Sequence, residues 1–393
     1  MNALDWILLV FVALYSLSGY QQGFIVGAAS TVGLLLGGFI GVQVTPWLLD
    51  GFDPGISVSL AALLIVLACA FVGQAGGAFA GAQVRGRVTW HPARTLDAVG
   101  GAALSVAAML LIAWVLGVAA SGADLRGLNK EVRTSTVLST VDKILPGGSD
   151  RILSAFNTLV DSSLFPRYLE PFAPEQIASV PPPTTGILSR ESVIAARASV
   201  VKVLGDATSC GRTLEGSGFV YQDGRVMTNA HVVAGVDNPQ IRVGETDYAG
   251  KVVYYDPEVD VAVISVPDLP TRPLAFATTA ALPKSPAAVL GYPENGPYDA
   301  QPARIRDEQT LRSPNIYGND TVYRDTYSIR ALVRQGNSGG PLVNRGGDVV
   351  GVIFAASVTD GDTGYALTAD QVAAAAKSGA SASDRVDTGG CAL

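Results

Sequence analysis

Charge is what this sequence has least of. Only 16% of its 393 residues are Asp, Glu, Lys or Arg, against about a quarter in an ordinary soluble domain. The deficit is concentrated, because no charged residue occurs from Trp6 to Leu49, from Pro54 to Val84 or from Ala98 to Ala123. A membrane span needs roughly 20 apolar residues, so the first stretch holds two spans and the others one each. The first stretch also far outruns the apolar core of about 7–15 residues in a cleavable signal peptide. Cysteine is sparse, with Cys69, Cys210 and Cys391 and no C-x-x-C spacing, which excludes a disulfide-dense scaffold and a structural zinc site. The net charge of -7, with no cluster of Lys or Arg, excludes a nucleic-acid partner. Neither a metal nor an organic cofactor is implied.

What is present divides the chain in three: a four-span transmembrane domain over 1–123, juxtamembrane helices and a Pro-rich linker over 124–186, and a water-facing domain over 187–393. The spans fall at about 4–20, 24–44, 56–80 and 98–120, with Gly19-Tyr20-Gln21-Gln22-Gly23 as the first hairpin. The connection 85–97 carries Arg85, Arg87 and Arg94 against Asp97, whereas 46–54 carries Asp50 and Asp53. Short Arg-rich loops stay in the cytoplasm, so both termini and the third segment are expected outside it. Glycines recur every fourth position at Gly33, Gly37 and Gly41 and at Gly73, Gly77 and Gly81, which suits close helix packing. Residues 4–49, with Asp5 at the entrance and the Gly-rich hairpin, resemble the colicin V production protein family. In the linker, helical spacing over 125–145 and 151–164 gives way to Pro166, Pro171, Pro174 and Pro181-Pro182-Pro183, the composition of a semi-rigid spacer.

Beyond Ile187 the pattern is short apolar or alternating runs bounded by Gly, Pro and Asp, including 218–221, 225–228, 251–255, 261–266, 287–290, 321–330, 341–344 and 349–355. Such spacing reads as an all-β barrel or sandwich. One of the two histidines, His231, lies in Thr228-Asn229-Ala230-His231-Val232-Val233. Asp256-Pro257-Glu258-Val259-Asp260-Val261 follows it, and then Gly336-Asn337-Ser338-Gly339-Gly340-Pro341. A serine hydroxyl needs an adjacent base, and the base needs a group to orient it. Asp260, at the head of an apolar strand, is the preferred orienter over Asp256 and Asp247. Gly336 and Gly339 permit a tight turn that exposes Ser338, so that the N–H groups of Gly336 and Ser338 can converge on an oxyanion.

These three segments resemble the trypsin/chymotrypsin-like serine proteases of the HtrA-like branch, in the same His, Asp, Ser order. The resemblance implies a chymotrypsin-like double β-barrel with two six-stranded barrels, with His231 as general base, Asp260 as its orienter and Ser338 as nucleophile. It further implies that Leu332, six residues before Ser338, lies at the base of the primary specificity pocket, with Gly364-Tyr365-Ala366 on the opposite wall. With no acid at that base, cleavage after a small or medium apolar residue is expected. Four spans in place of one, and no PDZ-length segment after the protease region, point within that branch to the membrane-anchored acid-resistance serine proteases of mycobacteria and related actinobacteria. From that likeness come protein or peptide substrates in the cell envelope, contact with the lipid bilayer, a periplasmic site of action and a role in acid and oxidative stress. The same likeness, together with an extracytoplasmic setting, pairs Cys210 with Cys391, either as a staple or as a redox-sensitive support of the site. The alternative reading makes the membrane half primary, as a channel or assembly protein with the protease domain as a sensor.

Overall fold

The computed structural model describes residues 1–48, 56–120, 126–145, 175–357 and 359–392. The expected helix over 151–164 and both aspartates of the acidic 46–54 connection, Asp50 and Asp53, lie outside the described residues. The chain divides into two compact units, Met1–Gly117 with Ser135–Ile144, and Val118–Thr134 with Leu145–Leu393.

In the first unit, α1 (Ala3–Gln22), α2 (Phe24–Leu48), α3 (Ile56–Gly86) and α4 (His91–Ala120) are each long and apolar enough to cross a membrane. The break between α1 and α2 falls at Gly23, whose φ of +81° is left-handed and suits a residue without Cβ. Two charges clamp that break. Arg85 donates to the carbonyls of Gln21 and Gln22 and pairs with Asp97 at 2.7 Å, and Asp97 accepts the Ile25 N–H at 2.8 Å. This pairing explains why α3 and α4 run past the expected ends at 80 and 98. Their charged residues satisfy one another, and the connection shrinks to a few residues. The repeated glycines bring α2 and α3 into backbone contact: a Cβ on Gly33 would stand 2.1 Å from the Gly73 carbonyl, and one on Gly37 2.2 Å from that of Cys69. Asp5, fully buried, accepts the N–H groups of Thr136 and Val137 and the Ser135 hydroxyl at 2.6 Å, and so caps the first turn of α6 (Thr136–Ile144).

Among the described residues the second unit contains α5 (Arg126–Arg133), α7 (Glu191–Ala196), thirteen strands and α8 (Ala369–Ser381). Strands β1 (Val200–Ala207), β2 (Arg212–Gln222), β3 (Arg225–Thr228), β4 (Gln240–Val243), β5 (Thr246–Ala249), β6 (Lys251–Asp256) and β7 (Val261–Ser265) form a seven-stranded sheet in the order β5-β4-β1-β2-β3-β7-β6. Strands β8 (Pro286–Gly291), β9 (Asp299–Pro314), β10 (Thr321–Arg330), β11 (Pro341–Val343), β12 (Val349–Ala356) and β13 (Thr363–Thr368) close a six-stranded barrel. The first half therefore has seven strands where six were expected. The reason is local: its two edge strands, β5 and β6, are separated by Gly250 alone. That residue bends one long strand so that it serves both edges, and a Cβ there would meet Ile264 at 2.5 Å. The core follows the alternation, with Val201, Val203, Val220, Ile241 and Ile264 packed inside the first sheet and Val289, Ile305, Ile329 and Leu342 inside the barrel. Helix α8 lies against the first sheet, where Arg225 donates to the Gly379 and Ala382 carbonyls.

The end of the expected spacer is not a free tether. Arg306, Arg330 and Arg304 donate to the carbonyls of Ala178, Val180 and Pro182, holding this Pro-rich segment along the second barrel. At the other end, Cys210 and Cys391 are joined, 181 residues apart in sequence, as expected. Replacing Cys391 by serine is expected to cost about 2–5 kcal/mol of stability, measured as a lower denaturation midpoint of the oxidised full chain in detergent.

Candidate active site

His231 stands in a single turn, Ala230–Val232, that follows β3, and only 8% of it is exposed. Its Nδ1 lies 2.8 Å from Oδ2 and 3.1 Å from Oδ1 of Asp260, and its backbone N–H donates to the same Oδ1 at 3.0 Å. A carboxylate only accepts, so in the neutral imidazole the proton sits on Nδ1 and Nε2 is the basic nitrogen. Asp260, fully buried, sits between β6 and β7 with φ +69°, a conformation uncommon for a residue with a Cβ. Its own carbonyl accepts from Asn229 Nδ2 at 2.8 Å, which ties the aspartate to the chain beside the histidine. The other two acidic candidates are employed elsewhere. Asp256 accepts the N–H groups of Glu258 and Val259, and Asp247 pairs with Arg242 through two hydrogen bonds of 2.6 and 2.7 Å.

Ser338 belongs to the second barrel, on the loop between β10 and β11, and is buried at 3% exposure. Its carbonyl accepts the Ser217 N–H of β2 at 2.8 Å, while Ser217 Oγ donates to the Gly336 carbonyl at 2.6 Å and accepts from Tyr292 N. Ser217 also accepts from Thr228 Oγ1 through its carbonyl at 2.7 Å, and Thr228 leads directly into His231. Ser217 thus draws the Ser338 loop and the His231 turn to one strand. Sequence reasoning did not single it out, although its setting, Gly216-Ser217-Gly218, carries a signal. A Cβ at Gly216 would lie 2.7 Å from Val232 and 3.1 Å from the Ser338 carbonyl, so that strand must stay thin.

The loop's backbone amides are divided. Asn337 N donates to Arg334 O, Gly339 N to Ile353 O and Gly340 N to Asn337 O. Among the described residues no hydrogen bond uses the N–H of Gly336 or Ser338. Their direction follows from peptide planarity, which points the C=O and N–H of a trans unit opposite ways. The Gln335 carbonyl accepts from Glu294 N at 2.8 Å and the Asn337 carbonyl from Gly340 N at 2.9 Å, so the N–H groups of Gly336 and Ser338 point away from both partners. Gly336 and Gly339 take φ of +86° and +82°, the left-handed values the tight turn requires. The partner of Gln335 is itself constrained, since Glu294 and Asn295 have φ of +56° and +52°. Lys202 holds them, donating to Asn295 O and Oδ1 at 2.8 and 3.0 Å, and burial holds its ammonium below the ordinary lysine value.

Leu332 is 47% exposed between buried Ala331 and Val333. Val333 meets the opposite wall, where a Cβ on Gly364 would be 2.4 Å from it. Tyr365 is buried and donates to Glu175 at 2.9 Å, and burial pushes its phenol up. Among the described residues no group of three or more His, Cys, Asp or Glu side chains is placed to hold a metal ion.

Two family models match, the trypsin-like peptidase domain over residues 216–352 and the colicin V production protein over 4–146. Over 391 residues the chain is 38% identical to the serine protease Rv3671c of Mycobacterium tuberculosis, covering 99% of this chain and 98% of the relative. The crystal structure of the active form of that protease aligns with a TM-score of 0.55 and 45% identity, over 57% of this chain and 99% of the other. A probable periplasmic serine endoprotease, DegP-like, of Pseudomonas savastanoi is 30% identical over 141 residues, 35% of this chain and 28% of its own length.

Proposed function

The chain belongs to the family of serine proteases that join a colicin V production protein-like domain to a trypsin-like peptidase domain, and from that premise we propose that Ser338, His231 and Asp260 are its catalytic triad. His231 Nε2 takes the Ser338 proton as Oγ attacks the scissile carbonyl carbon. The oxyanion so formed is received by the N–H groups of Gly336 and Ser338. The imidazolium then protonates the leaving amine, the acyl bond to Oγ remains, and water activated by the same histidine hydrolyses it. Asp260 accepts from Nδ1 throughout and so keeps the proton on that nitrogen. The observation that carries this reading is the 2.8 Å contact between Asp260 and His231 Nδ1, with two amides of the serine loop left for a substrate.

The enzyme is a membrane-anchored serine protease, and its substrates are proteins or peptides. In the finer reading, residues 1–123 form the four-span anchor, 124–186 the juxtamembrane segment and 187–393 the protease domain. The Arg-bearing 85–97 connection lies in the cytoplasm, so both termini and the protease domain face the periplasmic side and act on envelope proteins under acid and oxidative stress. Leu332 offers no counter-charge to a substrate Arg or Lys, which favours cleavage after small or medium apolar residues. The test is a fluorophosphonate probe applied to the oxidised full chain in detergent, with the labelled peptide identified by mass spectrometry. Labelling at Ser338 is expected; labelling elsewhere or nowhere overturns the triad. A peptide series on the same preparation with a clear preference for Arg or Lys overturns the pocket assignment alone.

A further inference from the structure

Resting on the triad reading, we propose that Arg324 of the second barrel is a positioning residue for Asp260, acting by fixing the loop on which the aspartate stands. Strand β10 alternates inward and outward, with Val322, Arg324 and Thr326 buried and Tyr323 and Asp325 facing out. A position that alternation reserves for the core is therefore held by a cation at 1% exposure. An apolar side chain of similar volume would fill that place with no charge to desolvate. The guanidinium is instead spent on backbone oxygens of the other half. Its Nε donates to the Glu258 carbonyl at 2.7 Å and to that of Val259 at 3.1 Å, the two residues immediately before Asp260. Its Nη1 is anchored by Ser313 Oγ at 2.6 Å and the Pro314 carbonyl at 3.1 Å.

Every carbonyl from 256 to 260 has a donor. Asp256 O takes the Asp260 N–H and Asp260 O takes Asn229, whereas Pro257 O takes the Ile316 N–H and the next two take Arg324. Three of the five are thus met by the β9–β10 hairpin. A residue at positive φ persists only when its surroundings over-determine it, and for Asp260 much of that determination comes from across the domain. The planar fork of arginine suits two adjacent carbonyls at one end and a hydroxyl at the other; the point charge of lysine does not.

The test is a double-mutant cycle on the full chain in detergent, following steady-state hydrolysis of a peptide ester. Arg324→Met is expected to lower kcat about 100-fold, the scale of a 1 Å misalignment, with KM within about threefold. Arg324→Lys should recover only part of that loss. In an Asp260→Asn background, Arg324→Met should cost less than about threefold, because the group it positions is already gone. The same cost in both backgrounds, an unchanged kcat, or a loss confined to KM overturns the proposal. A negligible effect of Asp260→Asn alone overturns the triad reading beneath it. Should Arg324→Met fail to fold, Ser313→Ala loosens the guanidinium without touching the 256–260 loop. It is expected to lower kcat several-fold at constant KM, and an unchanged kcat overturns the proposal.

Discussion

Replacing Asp260 by asparagine is expected to lower kcat about 10⁴-fold while the protein stays folded. The amide has the volume of the carboxylate and can still accept the His231 backbone N–H now bound at 3.0 Å. It then turns its NH₂ toward Nδ1. A donor facing Nδ1 favours the tautomer with the proton on Nε2, and that nitrogen can no longer take a proton from Ser338. Neither of the other two acidic candidates is placed to substitute, since Asp256 closes its own turn and Asp247 is engaged by Arg242. The measurement is kcat on a peptide ester beside the melting temperature of the full chain in detergent. A loss of under tenfold at an unchanged melting temperature would remove Asp260 from the catalytic machinery.

Gly336→Ala is expected to lower kcat on the order of 10²–10³-fold, the cost of one oxyanion donor, with KM changed little and the melting temperature lowered modestly. At φ +86° an alanine is strained, and its Cβ would stand 2.6 Å from the Tyr292 carbonyl and 3.0 Å from Glu294 N. The relief available is rotation of the Gln335–Gly336 peptide, which gives up the hydrogen bond from Glu294 and swings the Gly336 N–H out of the cleft. The strain and the lost hydrogen bond also cost stability, on the order of 1–3 kcal/mol. Wild-type kcat in the variant would mean that the Gly336 amide faces no developing charge.

The parts of the fold legible in the sequence are those where one residue type does one local job. The apolar spans, the break at Gly23, the strands over 225–228, 261–265 and 321–330, and the Gly-rich setting of Ser338 all follow from short-range pattern. Strands β4 and β5 are short and mostly polar on their outer faces, and β9 reads as a charged segment; each pairs with a neighbour in sequence, but too few apolar positions alternate along them to mark a strand. Helix α8, rich in alanine but containing Ser378, Gly379 and Ser381, is specified by its seat on the first sheet more than by its own spacing. Ser217 and Arg324 were invisible for a different reason: each acts on backbone groups more than 60 positions away, and no spacing rule reports such a contact. The arginines that bind 178–182 turn what composition reads as a spacer into a docked segment.

The two halves of the protease unit hold each other's chemistry. Ser217, from the first sheet, pins the loop of Ser338, and the β9–β10 hairpin of the second barrel pins the loop of Asp260. With the triad proposed above, this reciprocity makes the enzyme fail safe. A chain that has released only its first half, or one nicked between the halves and partly separated, carries a histidine and an aspartate in a slack loop and no nucleophile. A lone second half carries a serine without a base, on a turn that has lost its support. Hydrolytic power therefore arises only at the moment of docking, and a damaged or half-made copy held at a membrane is inert toward its neighbours rather than loosely destructive.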